Sequence, residues 1–165
     1  GFSNTFHYKA FSANIFVTYQ AGNKIRLYPA FKTYYSDLDA MPREFNDRWV
    51  LPGDELLTNV PSILEAFEAA QLNAAYPYNN YNYSTQRVAR GDFVRLKTVS
   101  LSYQLPLESV RRLGLNSLSV TAAGANLWLI YSDKKLQGQD PEFFNSGGVA
   151  QPVQKQITLS VKLGI

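Results

Sequence analysis

The stretch Arg95–Pro106, RLKTVSLSYQLP, decides how this chain is read. From Thr98 onward, Thr98, Ser100, Ser102 and Gln104 alternate without a slip with Val99, Leu101, Tyr103 and Leu105. Period-two alternation belongs to a strand with one side in polar and the other in apolar surroundings. What covers Val99, Leu101 and Tyr103 is therefore the first thing to establish.

The same pattern recurs along the chain. In FSANIFVTYQ, Phe11, Ala13, Ile15, Val17 and Tyr19 share one parity, and only Phe16 breaks the polar set opposite. Gly22 and Asn23 suit a tight hairpin into a poorer strand, which Pro29 confines to an edge. In SLSVTAAGANLWLIY the phase slips after Gly124, so a bulge is expected there. The final QITLSVKLGI opposes Ile157, Leu159, Val161 and Leu163 to Gln156, Thr158, Ser160 and Lys162. Strands are thus expected at about 8–20, 23–35, 92–105, 117–131 and 154–165, with long loops at about 36–91 and 132–153. Within the first loop, Ser62 and Glu65 read as a capping box for a short helix, and YPYNNYNYS reads as irregular.

Composition limits the function classes. The 165 residues are 45% hydrophobic and 14% aromatic, which argues for order. The net charge of +3 comes from 16 scattered basic residues, with no basic block or helix, so nucleic acid is not an expected partner. Without cysteine there is neither a disulfide framework nor a thiolate metal site. No apolar run is long enough for a membrane-crossing helix. The opening GFSNTFHYKA lacks a signal peptide's pattern, as expected of a chain entered in mid-sequence.

Long strands joined by alternately short and long connections suit a transmembrane barrel, whose strands of about nine to eleven residues cross the hydrocarbon at a tilt. The body covering Val99, Leu101, Tyr103, Ile157, Leu159, Val161 and Leu163 is then lipid, and Ser100, Ser102, Gln104, Thr158, Ser160 and Lys162 line a wet lumen. Tyr19 and Tyr103 are expected at the short-turn ends, where an aromatic girdle would lie.

Several separated motifs now carry a resemblance: NDRWVLPGDELLTNVPS (46–62), RVARGDFVRLKTVSLSYQLP (87–106), LGLNSLSVTAAGANLWLIYS (113–132) and GQDPE (138–142). In this order they resemble the C-terminal barrel region of SusC-like (SusC/RagA) TonB-linked outer-membrane transporters of the Bacteroidetes. The resemblance implies an all-β, antiparallel barrel of about 22 strands, of which this chain would hold the last ~5, with the plug domain absent. It further implies import of oligosaccharides or peptides across the bacterial outer membrane, with a SusD-like lipoprotein as lid and TonB engaged through a missing N-terminal region. Outer-membrane lipid and lipopolysaccharide would surround the wall. The chain departs from the family in ending on Ile165 rather than an aromatic residue, in Ala125 where glutamine is common, and in an apparent loop insertion around Ile63–Tyr83.

No catalytic group, metal or cofactor is called for. His7 is the only histidine, and Asp54, Glu55, Asp140 and Glu142 read as solvated loop charges. Arg90–Asp92 spells RGD, which reads as a chance tripeptide at a strand entrance. The loop residues Trp49, Tyr76, Tyr78, Asn80, Tyr81 and Tyr83 are candidates for contacting cargo or lid, because flat rings and amides suit sugars and peptides; packing within the loop is the competing reading. Arg95 and Lys97 share parity with the lipid-facing set and are expected to meet lipopolysaccharide phosphates or water. The alternative to the barrel is a soluble β-sandwich that binds carbohydrate through its loops.

Overall fold

The computed structural model describes residues 1–32, 38–112, 114–144 and 153–165. It divides into two compact units: residues 1–25 with 90–165, and residues 26–89.

The first unit is a sheet of five antiparallel strands. Its strands are β1 (Phe2–Tyr8), β2 (Phe11–Gln20), β5 (Phe93–Gln104), β6 (Ser117–Ser132) and β7 (Gln156–Gly164), hydrogen-bonded in that order. The short β3 (Lys24–Arg26) and β4 (Val88–Arg90) pair separately. A short helix (Leu107–Arg111) lies between β5 and β6.

Two expectations need correction. The hairpin at Ala21–Lys24 does not form, and the strand expected at 23–35 shrinks to Lys24–Arg26. The reason is occupancy: β2 already pairs with β1 on one edge and β5 on the other, leaving no edge for the following segment. The real hairpin precedes β2. Lys9 adopts the left-handed conformation (φ 53°) in the tight turn between β1 and β2, without the Gly or Asn that usually announces such a turn. As a result β2 runs into the long connection, and Tyr19 stands at the opposite end from Tyr103. Tyr103 instead neighbours Phe11, with ring centroids 4.5 Å apart, and the amide of Gln104 donates to the Ala10 carbonyl at 2.9 Å. Short connections (9–10 and 105–116) thus share one end of the sheet, and long ones (21–92 and 133–155) share the other.

The expected slip in β6 falls just past Gly124. The β5–β6 register shifts between Leu96 and Thr98, opposite Ala125–Trp128, where Asn126 takes φ 54°. Asparagine tolerates that region better than most residues. Gly124 makes room for the irregularity, since a Cβ there would lie 2.7 Å from Leu127 Cδ2.

The second unit has its own small core of Ala30, Phe31, Phe45, Ala74 and Tyr78. It contains α1 (Ala66–Gln71) and α2 (Ala75–Tyr83). The expected capping box is absent, because α1 begins after Glu65 and Ser62 lies outside it. The tyrosine-rich stretch read as irregular is α2. It lacks an apolar period, but Ala74, Tyr78 and Asn82 recur at fourfold spacing and are all buried. Pro77 is tolerated in its first turn, where backbone N–H groups need no intrahelical partner.

Candidate functional site

Pairing carries two faces across the whole sheet. Phe6, Ala13, Leu101, Ala122 and Leu159 form one continuous cross-strand row, flanked by Tyr8, Phe11, Tyr103, Val120 and Val161. On the reverse, His7, Ser12, Ser102, Thr121 and Ser160 form a row, flanked by Thr5, Asn14, Ser100, Ala123 and Thr158. Ser102 Oγ and Thr121 Oγ1 are 2.8 Å apart in the polar row, and the Asn14 amide donates to Thr5 Oγ1 at 2.8 Å. Gln104, Ser119 and Lys162 extend this face toward the short-turn end.

The apolar face is open. Leu101 is 50% exposed, Leu159 71% and Ile157 87%, and Val161 and Leu163 are also more than half exposed. Side chains of this kind, contiguous over five strands, exceed what soluble monomers leave bare. Among the described residues no helix is long and apolar enough to cross a membrane, which says nothing of strands.

At the long-loop end a charge cluster overturns two expectations. The β2–β5 register shifts between Phe16 and Val17, which face Thr98 and Leu96 and leave Lys97 as the extra residue. Beyond that bulge, Arg95 pairs with Thr18 and so belongs to the polar face rather than the apolar one. It is 2% exposed, and Nη2 donates to Asp140 Oδ1 at 2.5 Å; Asp140 is wholly buried, not a solvated loop charge. Arg95 Nε lies 3.3 Å from Glu142 Oε2, and Lys97 Nζ donates to Glu142 Oε1 at 3.2 Å. Sequence reasoning missed the pairing because parity counting passes over a bulge; the QDPE acids facing two bases were the available signal.

The RGD tripeptide is held in a turn rather than displayed. Gly91 is buried and its amide donates to Asn23 O at 3.0 Å, while Asp92 Oδ1 accepts from Gly22 N at 2.7 Å. Nearby, Asp133 accepts from the amides of Arg90 (2.7 Å) and Lys135 (3.0 Å). Burial opposes its ionisation, yet those amides and the adjacent cations outweigh burial and hold its pKa below the ordinary value.

In the 26–89 unit the six aromatic and amide candidates separate. Tyr78 is a core residue: its hydroxyl accepts from Leu64 N (3.1 Å) and donates to Ser62 O (3.0 Å). Tyr81 is half-buried edge-on to Phe31, with Arg87 over its ring. Burial, then the Glu44 carboxylate, push its phenol pKa up against the opposing Arg87 cation. Tyr76, Asn80 and Tyr83 are exposed on α2, and Trp49 is partly exposed with its indole N–H donating to Leu51 O. An open cleft of about 610 Å³ is lined by Tyr81 with Asn46, Asp47, Asp54, Asn59 and Gln86, polar residues that sequence reasoning did not group. Asp54 is occupied in structure: Oδ2 accepts from the amides of Leu51 and Val50, which lower its pKa. Among the described residues no cluster of acids and histidine could hold a metal.

No family model matches the chain. Over 156 residues it is 30% identical to TonB-dependent receptor P39 of Formosa agariphila, a match covering 92% of this chain and 14% of that relative. Its fold matches the RagAB peptide importer in the open-open state with a TM-score of 0.71 and 20% identity, over 99% of this chain and 16% of the other. The chain resembles the SusC/RagA-type TonB-dependent transporters. The closed-closed state of RagAB matches with a TM-score of 0.68 and 19% identity over 98% of the chain. The antiparallel sheet therefore corresponds to a portion of a RagA-like barrel, and the chain spans a small fraction, 14–16%, of the proteins it matches.

Proposed function

We propose that this chain is a wall segment of an outer-membrane transporter that imports oligosaccharides or peptides, and that it performs no catalysis itself. One observation carries the reading: a five-strand face of apolar side chains left exposed among the described residues, backed by an equally wide polar face. In lipid, backbone polar groups must be satisfied by closed pairing, so the outer edges of β1 and β7 would continue into neighbouring strands of one barrel of about 22 strands. Val99, Leu101, Tyr103, Ile157, Leu159, Val161 and Leu163 then face lipid, and Ser100, Ser102, Gln104, Thr158, Ser160 and Lys162 face the aqueous lumen.

By this reading the long connections are extracellular. The 26–89 unit then presents Trp49, Tyr76, Asn80 and Tyr83 to cargo or to a SusD-like lipoprotein lid, and TonB is engaged elsewhere in the whole transporter. RagAB is a peptide importer. Its likeness supports the fold, and the choice between peptide and glycan rests with the loops.

The test uses the whole transporter in its native membrane. Fractionation to the outer membrane, heat-modifiable gel mobility and solute uptake that stops without TonB are expected. A monodisperse, cooperatively unfolding protein that needs no detergent would sink the reading in favour of a soluble carbohydrate-binding sandwich. The open apolar face argues against that alternative, since a sandwich covers one side of each sheet with a second layer.

A further inference from the structure

Arg95 and Asp140 join two different parts of the first unit. Arg95 sits on the polar face of β5; Asp140 sits in the connection that leaves β6. Both side chains are almost fully buried, at 3% and 0% exposure. The carboxylate is used on both oxygens: Oδ1 takes Arg95 and the Glu142 amide (3.0 Å), and Oδ2 takes the Val153 amide (3.3 Å). A second, more exposed tier joins Lys97 to Glu142. All the bases of the cluster lie on the strand and all the acids in the connection. Leu136, wholly buried, and Phe144 give the same segment an apolar anchor.

We propose that residues 133–144 form a strap clamped across the polar face by the Arg95–Asp140 pair, and that this clamp sets the width of the aqueous path at the long-loop end. The proposal rests on the reading of that face as the lumenal wall. Lifting the strap would leave one charge of a desolvated pair without its partner, a strongly unfavourable state. The strap is therefore a fixed part of the path and not a freely moving loop. Asp140 acts as a positioning residue; it need not touch cargo.

The experiment compares the full transporter with its Asp140→Asn form, which keeps the side-chain shape and removes the charge. Conductance in planar bilayers and hydrogen exchange at the Glu142 and Val153 amides are read together. Asp140→Asn should raise conductance, with exchange at both amides about a hundredfold faster or more, as expected for loss of one partner of a buried pair. Unchanged conductance and exchange in a folded variant would overturn the clamp. Should that variant fail to fold, the wild type decides: slow exchange at the two amides supports the clamp and fast exchange overturns it. Arg95→Lys retains the charge and should keep the narrow path; a rise equal to that of Asp140→Asn would also overturn it. Failure of the transport reading shows separately, as wild-type protein without TonB-dependent uptake, while the exchange result stands by itself.

Discussion

Asn82 holds both backbone polar groups of Phe31: Asn82 Oδ1 accepts from the Phe31 amide (3.0 Å) and Asn82 Nδ2 donates to the Phe31 carbonyl (2.7 Å). The same Oδ1 also accepts from Ala30 N at 2.9 Å. All of this is buried beside the Phe31–Tyr78 ring stack. Replacing Asn82 with Ala leaves buried backbone groups unpaired, so the 26–89 unit should lose about 2–4 kcal/mol. Hydrogen exchange across 26–89 in the whole transporter, against an unchanged sheet, checks this.

The two faces should respond oppositely to charge. Leu101→Arg places a guanidinium in the middle of the apolar row and should cost about 2–4 kcal/mol in lipid, the range for basic residues near a bilayer midplane. Ser100→Arg, one position away on the polar face, should cost far less. Urea unfolding in lipid vesicles compares the pair, and equal costs would contradict the assignment of faces.

Gly124 tests the bulge. An added Cβ meets Leu127 Cδ2 at 2.7 Å and Cδ1 at 3.0 Å, and both are the far end of a flexible side chain. Gly124→Val should therefore destabilise by about 1–3 kcal/mol, the usual scale of overpacking. Adding Leu127→Ala should return part of that loss. A double-mutant cycle on unfolding free energies gives the coupling directly.

Asp133 predicts a pH response. Its folded pKa is depressed below 3.8, so its contribution to stability is complete above that value and is lost as pH falls through the lower folded value. Order at Lys134–Leu136, whose turn Asp133 caps, should thus persist at mildly acidic pH and loosen only in stronger acid. Exchange at the Lys135 amide against pH measures it, and Asp133→Ala should remove the dependence.

The sheet was largely readable because its physics is local. Alternation at Val99–Gln104 and Ile157–Leu163 states both faces outright, and the pairing merely adds them up across strands. What stayed hidden depends on contacts distant in sequence. β1 was overlooked because Asn4 interrupts its apolar parity and Lys9 replaces the usual turn residues. The supposed strand after Ala21 fails because β5, about seventy residues on, already holds that edge of β2. In the loop, Tyr78 and Tyr81 could not be told from Tyr76 and Tyr83, since ring chemistry is identical and only helical spacing separates inside from outside. The Arg95–Asp140 pair joins positions 45 apart and needs both a bulge and a folded-back connection to exist.

Lys97 has an implication reaching beyond its own charge. It acts as a spacer that inverts the preceding positions of β5, Phe93–Leu96, relative to a simple count by twos. Deleting this one residue would shorten the strand by only about 3.3 Å. It would leave Leu96 opposite Val17 and Arg95 opposite Thr18 in plain alternation, so each would keep the face it has now. A count by twos that runs through position 97 therefore exchanges the two faces, and one that skips it assigns both correctly.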